Sequence, residues 1–150
     1  MDNGILPKNY SLRPALRKDM GKIWRLVLGA RLDPTQLRWQ QFWVISREDK
    51  IIACGQLRAF LDAEELGSLV VARGDRDRGL GSFLARHLVR QATKPLYLEC
   101  LGTKLAAFYE KLGFVEVRWE ELPRSLKFKF ALSHLAKVLV HLPVTFMRKF

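Results

Sequence analysis

The stretch VVARGDRDRGLGSFL, residues 70–84, places three arginines and three glycines between a strand-like apolar run and a new helical pattern. The first amides of a helix have no intrahelical partner, and the helix dipole adds partial positive charge there. Glycine lacks a Cβ, so an anion can approach the backbone closely, and arginine donates charge-assisted hydrogen bonds. The stretch therefore predicts a pyrophosphate site where the strand turns into the helix.

Two common phosphate-binding motifs do not fit this stretch. Gly74 and Gly79 have the spacing of a P-loop, but Leu80-Gly81 stand where that loop requires lysine and serine or threonine. The dinucleotide fingerprint requires a third glycine, and Leu84 stands at its position. The alternative without a ligand is a glycine-rich turn that only closes a strand–helix unit.

A third motif does fit. The pattern R-x-x-G-x-G at residues 76–81, preceded by L-x-V at residues 69–71, resembles the acyl-CoA-binding motif of the GNAT superfamily of N-acyltransferases. A second motif similar to one of that family, AAFYEKLGF, occupies residues 106–114. The segment SLRPALRKDMGKIWRL resembles the family's usual opening, so the resemblance covers most of residues 11–120.

The resemblance implies that acetyl-CoA is the acyl-donor cosubstrate, with no metal. Backbone amides of the loop would wrap its pyrophosphate, and the edge of the preceding strand would pair with its pantetheine arm. An amide near Val71 would polarise the thioester carbonyl. The implied cosubstrate-binding residues are Leu69, Val70, Val71, Arg76, Asp77, Arg78, Gly79, Leu80, Gly81 and Ser82.

Acyl transfer from a thioester to an amine requires a base for the amine and an acid for the leaving thiolate. By resemblance the acid is Tyr109, since a phenol with a pKa of about 10 is protonated at neutral pH; the alternative is a core aromatic. Glu65, at the start of a strand, is one candidate base, or else a surface acid. Glu99, in an apolar strand, is the rival and could instead bind the acceptor's ammonium group. Gly102 departs from the family, which often has asparagine there.

Strand and helix patterns alternate along the chain, which predicts an α/β (α+β) fold in a single domain, residues 1–150. The resemblance implies a GNAT-like mixed, mostly antiparallel central sheet with helices on both faces and splayed strands at the CoA site. Asp19 and Thr103 are the predicted N-caps of two helices, and Gly113 the predicted stop of the second. The predicted helices cover residues 21–32, 79–92 and 103–113, and the predicted strands cover residues 42–46, 51–60, 65–72, 95–101 and 114–119.

The segment from residue 123 to residue 150 has two interpretations. The first is a helix followed, after Pro143, by a final strand that completes the sheet and walls the acceptor pocket. That helix would face the core with Leu126, Phe128, Leu132, Leu135 and Leu139. The second is association with a membrane surface through Lys127, Phe128, Lys129 and Phe130.

Charge and composition limit the function classes. The 150 residues contain 26 lysines and arginines against 15 acids, a net charge of +11 that favours an anionic partner. We predict an N-acetyltransferase that moves an acetyl group from acetyl-CoA to a primary amine. The alternative is a non-catalytic basic module that associates with RNA, ribosomes or a membrane surface and senses acyl-CoA; the cations are spread rather than striped, and no nucleic-acid motif is apparent.

The sequence also bears on location and assembly. No apolar run is long enough to cross a bilayer, and the start lacks the pattern of a signal peptide. Cys54 and Cys100 lie in apolar segments, which favours reduced thiols and a cytoplasmic location. The three histidines have no spacing that indicates a metal site or a catalytic triad. A homodimer is left open.

Overall fold

The computed structural model describes residues 4–150, which form a mixed sheet of seven strands with four α-helices. The strand order is β1-β2-β3-β4-β5-β7-β6, with one parallel neighbour pair, β4 and β5, among the pairings with a defined register. This confirms the predicted fold class. The strands are β1 Tyr10–Pro14, β2 Phe42–Arg47, β3 Lys50–Ala59, β4 Glu64–Val71, β5 Leu96–Leu101, β6 Phe114–Val117 and β7 Val144–Lys149; the helices are α1 Met20–Gly29, α2 Leu80–Gln91, α3 Thr103–Lys111 and α4 Arg124–Val140.

The chain divides into two compact units, described separately below. Unit 1 comprises Met1–Leu57 and Leu66–Gln91, and unit 2 comprises Arg58–Glu65 and Ala92–Phe150. The single domain expected from the sequence stays a prediction.

Unit 1 is built on the antiparallel strands β1, β2 and β3. The predicted strands 42–46 and 51–60 are confirmed as β2 and β3, which form a hairpin with Glu48 and Asp49 in the turn at left-handed φ values of 52° and 63°. Apolar side chains of α1 pack on this sheet because they recur at helical spacing. The resulting core includes Ile23, Val27, Phe42, Val44, Cys54 and Val70.

One predicted helix cap is wrong, and the other is confirmed in position only. Asp19 is the N-cap residue of α1, but its side chain makes no capping hydrogen bond, because its carboxylate accepts hydrogen bonds from Arg13 at 2.7 Å and from the Leu16 amide at 2.7 Å. The N-cap of α3 is Gly102, at φ 92°, and Thr103 is the first helical residue. For both helices the local sequence pattern predicted where the helix begins. It did not predict the partners that bind the Asp19 side chain, or that Gly102 takes the N-cap position before Thr103. The predicted stop at Gly113 is confirmed by its φ of 91°.

Unit 2 is built on β5, β7 and β6, with β7 antiparallel to both neighbours. The parallel register of β4 with β5 covers Glu64 and Glu65, pairing them with Leu96 and Tyr97. The splaying of these two strands stays a prediction. The helix and final strand expected after residue 123 are confirmed as α4 and β7.

The predicted core face of α4 is wrong beyond Leu126. Leu126 and Phe130 are fully buried in the core of unit 2, whereas Phe128 is 90% exposed and Leu132 is 79% exposed. Leu135 and Leu139 are also exposed. The helix carries apolar residues on two faces, and helical spacing groups residues by face without saying which face is covered. Across residues 4–150, no helix has the length and apolar character needed to span a membrane.

Candidate functional site

The segment between β4 and α2 has the backbone shape that the sequence predicts for an anion site. A 3-10 turn at Arg73–Asp75 follows β4, and α2 begins at Leu80. Between them Asp77 has φ 62° and Gly79 has φ 78°. Left-handed φ is uncommon for a residue with a Cβ such as Asp77, so the surrounding loop must impose it. The first amides of α2 then lie at the end of this turn, without intrahelical partners. We call residues Arg76–Ser82 the anion loop.

The two arginines of the anion loop are held differently. Arg76 Nε donates a hydrogen bond to the Val71 carbonyl at 3.0 Å, so this side chain folds back onto the end of β4. Arg78 Nη1 donates to Tyr10 Oη at 2.8 Å, and the Arg78 side chain is half-exposed. Each guanidinium group is oriented by a hydrogen bond within the segment that leads into α2, so the residues present fit a doubly charged pyrophosphate.

The end of β4 leads directly into this loop. Ser68 has a left-handed φ of 51° inside the strand, which departs from extended geometry just before the predicted pantetheine edge. Beyond it the side chain of Val70 is buried in the core of unit 1, while Leu69 and Val71 are partly exposed. The role of these three residues stays a prediction.

Glu65 lies in a buried ionic cluster in unit 2. Its Oε1 accepts a hydrogen bond from Arg58 Nη1 at 3.0 Å, and its Oε2 accepts one from Lys129 Nζ at 2.9 Å. Glu65 is only 2% exposed, so both carboxylate oxygens are committed to cations away from bulk water. Sequence reasoning missed Arg58 and assigned Lys129 to a membrane surface. The available signal was a single arginine within the otherwise apolar end of β3.

Glu99 lies in the same cluster but in a different electrostatic state. Burial raises its pKa above the usual range, and a hydrogen bond with Ser133 together with the charge of Lys129 offsets part of that shift. The neighbouring carboxylate of Glu65 raises it further. Its Oε2 is buried and has no hydrogen-bond partner among residues 4–150. Such an oxygen takes a proton more readily than that of an exposed carboxylate. We call Arg58, Glu65, Glu99, Lys129 and Ser133 the acidic cluster.

Tyr109 is buried in α3 among aromatic rings. Its ring meets those of Phe108 and Phe114 edge to face, at centroid distances of 5.0 Å and 5.7 Å. Burial raises the pKa of its phenol above the ordinary value, and the Cys100 thiol adds to that shift. The hydroxyl is therefore protonated at neutral pH, as a proton donor requires.

Tyr109 and the acidic cluster occupy opposite faces of the sheet of unit 2. Neighbouring residues of a strand point to opposite faces. On β5, Glu99 interacts with Ser133 of α4, whereas the next residue, Cys100, acts electrostatically on Tyr109. The structure thus brings Glu65 and Glu99 together and places Tyr109 on the other face.

Both cysteines are buried, and His87 and His134 pack against aromatic rings. Burial raises the pKa of Cys54 to about 12 and that of Cys100 to about 11, so both thiols are protonated and unreactive. His87 packs edge-on against Trp43 at 4.1 Å, and His134 stacks on Trp119 at 4.0 Å. Within the described part of the chain, no three His, Cys, Asp or Glu side chains are placed to hold a metal ion.

Comparison with known proteins gives concordant results. The family described as the Acetyltransferase (GNAT) domain matches residues 38–116. An amino-acid acetyltransferase of Photobacterium profundum is 30% identical over 105 residues, which are 67% of this chain and 24% of that protein. This chain therefore spans about a quarter of the length of that relative.

Solved structures share the fold. N-acetylglutamate synthase from Neisseria gonorrhoeae, solved with coenzyme A and N-acetyl-glutamate, matches with a TM-score of 0.75 and 19% identity, over 97% of this chain and 36% of that one. Rv2747 from Mycobacterium tuberculosis, solved in complex with CoA, matches with a TM-score of 0.72 and 19% identity, over 93% of this chain and 98% of that one. At this level of identity the likeness concerns the fold alone.

Proposed function

Because the chain belongs to the GNAT acetyltransferase family, we propose that it transfers an acetyl group from acetyl-CoA to a primary amine. The observation that carries the proposal is the anion loop, where left-handed turns at Asp77 and Gly79 lead into the start of α2 beside two arginines. The solved relatives that contain coenzyme A support the same cosubstrate. The non-catalytic RNA- or membrane-associating module is not favoured.

The residues of unit 1 would bind and orient the cosubstrate. When bound, acetyl-CoA supplies an activated thioester carbonyl and a thiolate leaving group. The amides of the anion loop and its arginines would neutralise the pyrophosphate, and the backbone of Leu69–Val71 would align the pantetheine arm as an added strand. A pantetheine arm held in this way would keep the thioester carbonyl in a fixed position, so that the transfer would become effectively unimolecular.

The residues of unit 2 would move the protons. We assign the base to Glu99, because a raised pKa brings a carboxylate closer to the operating pH and its Oε2 has no hydrogen-bond partner among residues 4–150. Glu65 would instead position the cluster, since both of its oxygens already bind cations. Tyr109, protonated at neutral pH, would donate a proton to the thiolate. Because it lies on the opposite face of the sheet from Glu99, the acid and the base would reach the thioester from opposite faces.

An amino acid is the acceptor class that we propose to test first. The support is that the relative from Photobacterium profundum is an amino-acid acetyltransferase and that the synthase from Neisseria gonorrhoeae was solved with N-acetyl-glutamate. Acetyl is the corresponding acyl group. The cytoplasmic location stays a prediction from the sequence, and a homodimer stays open.

A thiol-release assay tests the proposed activity. The protein is mixed with acetyl-CoA and, in turn, with amino acids, polyamines and peptides that have free N-termini. We expect release of CoA thiol with one amine class, matched mole for mole by N-acetylated product in the mass spectrum. Binding of acetyl-CoA without turnover on any amine would instead support an acyl-CoA sensor.

A matched pair of variants tests the assignment of the base. Glu99→Gln should remove the rise of kcat/KM with pH and lower its plateau by about 100-fold or more. Glu65→Gln should mainly lower the melting temperature, because Arg58 and Lys129 would lose the carboxylate that compensates their burial. If Glu65→Gln removes the rise of kcat/KM with pH and Glu99→Gln mainly lowers the melting temperature, Glu65 is the base.

A further inference from the structure

Tyr10 in β1 and Arg47 in β2 reach the start of the anion loop. The two residues are directly paired across the strands. Arg47 Nη1 donates hydrogen bonds to Tyr10 Oη at 2.8 Å and to Asp75 Oδ1 at 2.7 Å. Tyr10 Oη in turn donates to Asp75 Oδ1 at 3.3 Å. Asp75 is only 6% exposed and immediately precedes Arg76, so the edge of the sheet fixes the residue from which the loop departs.

Arg78 joins the same network from inside the loop. Its Nη1 donates to Tyr10 Oη at 2.8 Å and lies 3.8 Å from Asp75 Oδ1. The tyrosine hydroxyl thus gives its one proton to the carboxylate and accepts from two arginines, which uses its full hydrogen-bonding capacity. Two guanidinium groups share a single carboxylate, and one net positive charge is left at the place where an anion is expected.

The Tyr10 contact matters because Arg78 is half-exposed. A long exposed side chain loses rotamer freedom when it binds an anion, and that entropy opposes binding. An arginine that is already oriented by a hydroxyl has lost part of this freedom before the ligand arrives. Asp75 draws the two guanidinium groups together against their mutual repulsion.

We propose that Tyr10 is a positioning residue for phosphate recognition, which holds Arg78 and, through Arg47 and Asp75, the anion loop in the geometry that binds the phosphates of the cosubstrate. This inference rests on the proposed function. It adds a residue outside the loop motif, contributed by the first strand of the chain. Tyr10 acts through Arg78, so its effect should depend on the phosphates of the ligand and on the presence of the arginine.

The test measures CoA affinity by calorimetry and turnover with S-acetylpantetheine, which has the same thioester arm without the phosphates. Tyr10→Phe should weaken CoA binding by about 2- to 10-fold, the scale of the net contribution of one hydrogen bond. The KM for S-acetylpantetheine and the melting temperature should stay at parental values. In an Arg78→Gln background the same change should have almost no further effect on CoA affinity.

Controls separate this role from a structural one. Ser11→Ala removes another side-chain hydrogen bond between β1 and β2, the 3.0 Å contact with Ser46, and should leave CoA affinity unchanged. If Tyr10→Phe does not fold, Arg47→Gln removes the support that reaches the loop through Asp75, from a partly exposed side chain, and should show a smaller loss that also depends on the phosphates.

Several results would overturn the inference. Equal loss with CoA and S-acetylpantetheine would indicate a purely structural role for Tyr10. Unchanged CoA affinity in Tyr10→Phe would overturn this inference and leave the proposed function intact. A parent protein that does not bind CoA would overturn both.

Discussion

The anion loop of unit 1 and the acidic cluster of unit 2 handle charge in opposite ways. The loop uses seven consecutive residues, backbone amides and a half-exposed arginine. The cluster uses five side chains scattered from Arg58 to Ser133, and it pairs its charges internally. An open site with excess positive charge suits a ligand that brings its own negative charge. In the closed cluster, burial instead raises the pKa of one member, Glu99, to which we assign proton transfer in the proposed function.

The largest effect that this comparison predicts concerns Tyr109. If unit 2 serves the chemistry and unit 1 the binding, Tyr109→Phe should lower kcat by about 100- to 10,000-fold, because it removes the proton donor and keeps the ring. The dissociation constant of acetyl-CoA should change little. Steady-state kinetics and calorimetry measure the two quantities.

The matched control for that change is Tyr97→Phe, a second buried tyrosine of unit 2 that packs in the core on the α4 side. It should keep kcat within a few-fold of the parent. If both variants keep kcat within a few-fold of the parent, Tyr109 only packs against its aromatic neighbours.

A second prediction concerns the helix that supplies Lys129 and Ser133 to the cluster. Phe130→Ala should lower the free energy of unfolding by about 3 to 5 kcal/mol, since its ring is fully buried against Phe146. Phe128→Ala, two residues away and 90% exposed, should change it by no more than about 0.5 kcal/mol. Chemical denaturation measures both. Equal losses would mean that the exposed face of α4 is covered in solution.

The same helix shows what the sequence determines. Helical spacing predicted α4, and Pro143 with the β-branched and aromatic residues after it predicted β7. The buried face could not be predicted, because the exposed side carries more large apolar residues than the side that contains Leu126 and Phe130. Only the residues that α4 packs against, such as Phe146, decide between the two faces.

The anion loop and the acidic cluster also differ in how far the sequence predicts them. The anion loop was predictable because strand, turn and helix start are adjacent in sequence and each has a local signal. The acidic cluster was not, because the partners of Glu65 come from β3 and α4, at residues 58 and 129. Glu65 and Glu99 were chosen as candidates by residue type and resemblance. Their different electrostatic states follow from partners that no local pattern reveals.

The smallest predicted effect is the pH dependence of stability. The pKa of Glu99 is higher in the folded protein than in the unfolded chain, so the native state binds more protons between the two values. The contribution of Glu99 to the free energy of unfolding is therefore fully present below about 4.3, the pKa of the group in the unfolded chain. It is lost as the pH rises through the pKa of the group in the folded protein. Glu99→Gln should remove this loss, and its stability relative to the parent should increase with pH across that window.

Urea denaturation of the parent and of Glu99→Gln at several pH values measures this difference. Glu110→Gln is a suitable control, because it changes an exposed acid of α3. The stability of that variant relative to the parent should depend little on pH. A pH-independent difference between Glu99→Gln and the parent would contradict the raised pKa.

Calorimetric titration with acetyl-CoA tests the central claim most directly, because every assigned role depends on cosubstrate binding at the anion loop. The parent should bind, and Gly81→Val should weaken binding at least about tenfold, equivalent to about 1.4 kcal/mol, because a branched side chain at the start of α2 obstructs the approach of the pyrophosphate. The control is Gly74→Val, in the same segment, where a Cβ would meet no atom within 4 Å; it should bind like the parent. A Gly81→Val protein that is folded and binds acetyl-CoA with parental affinity would contradict the account.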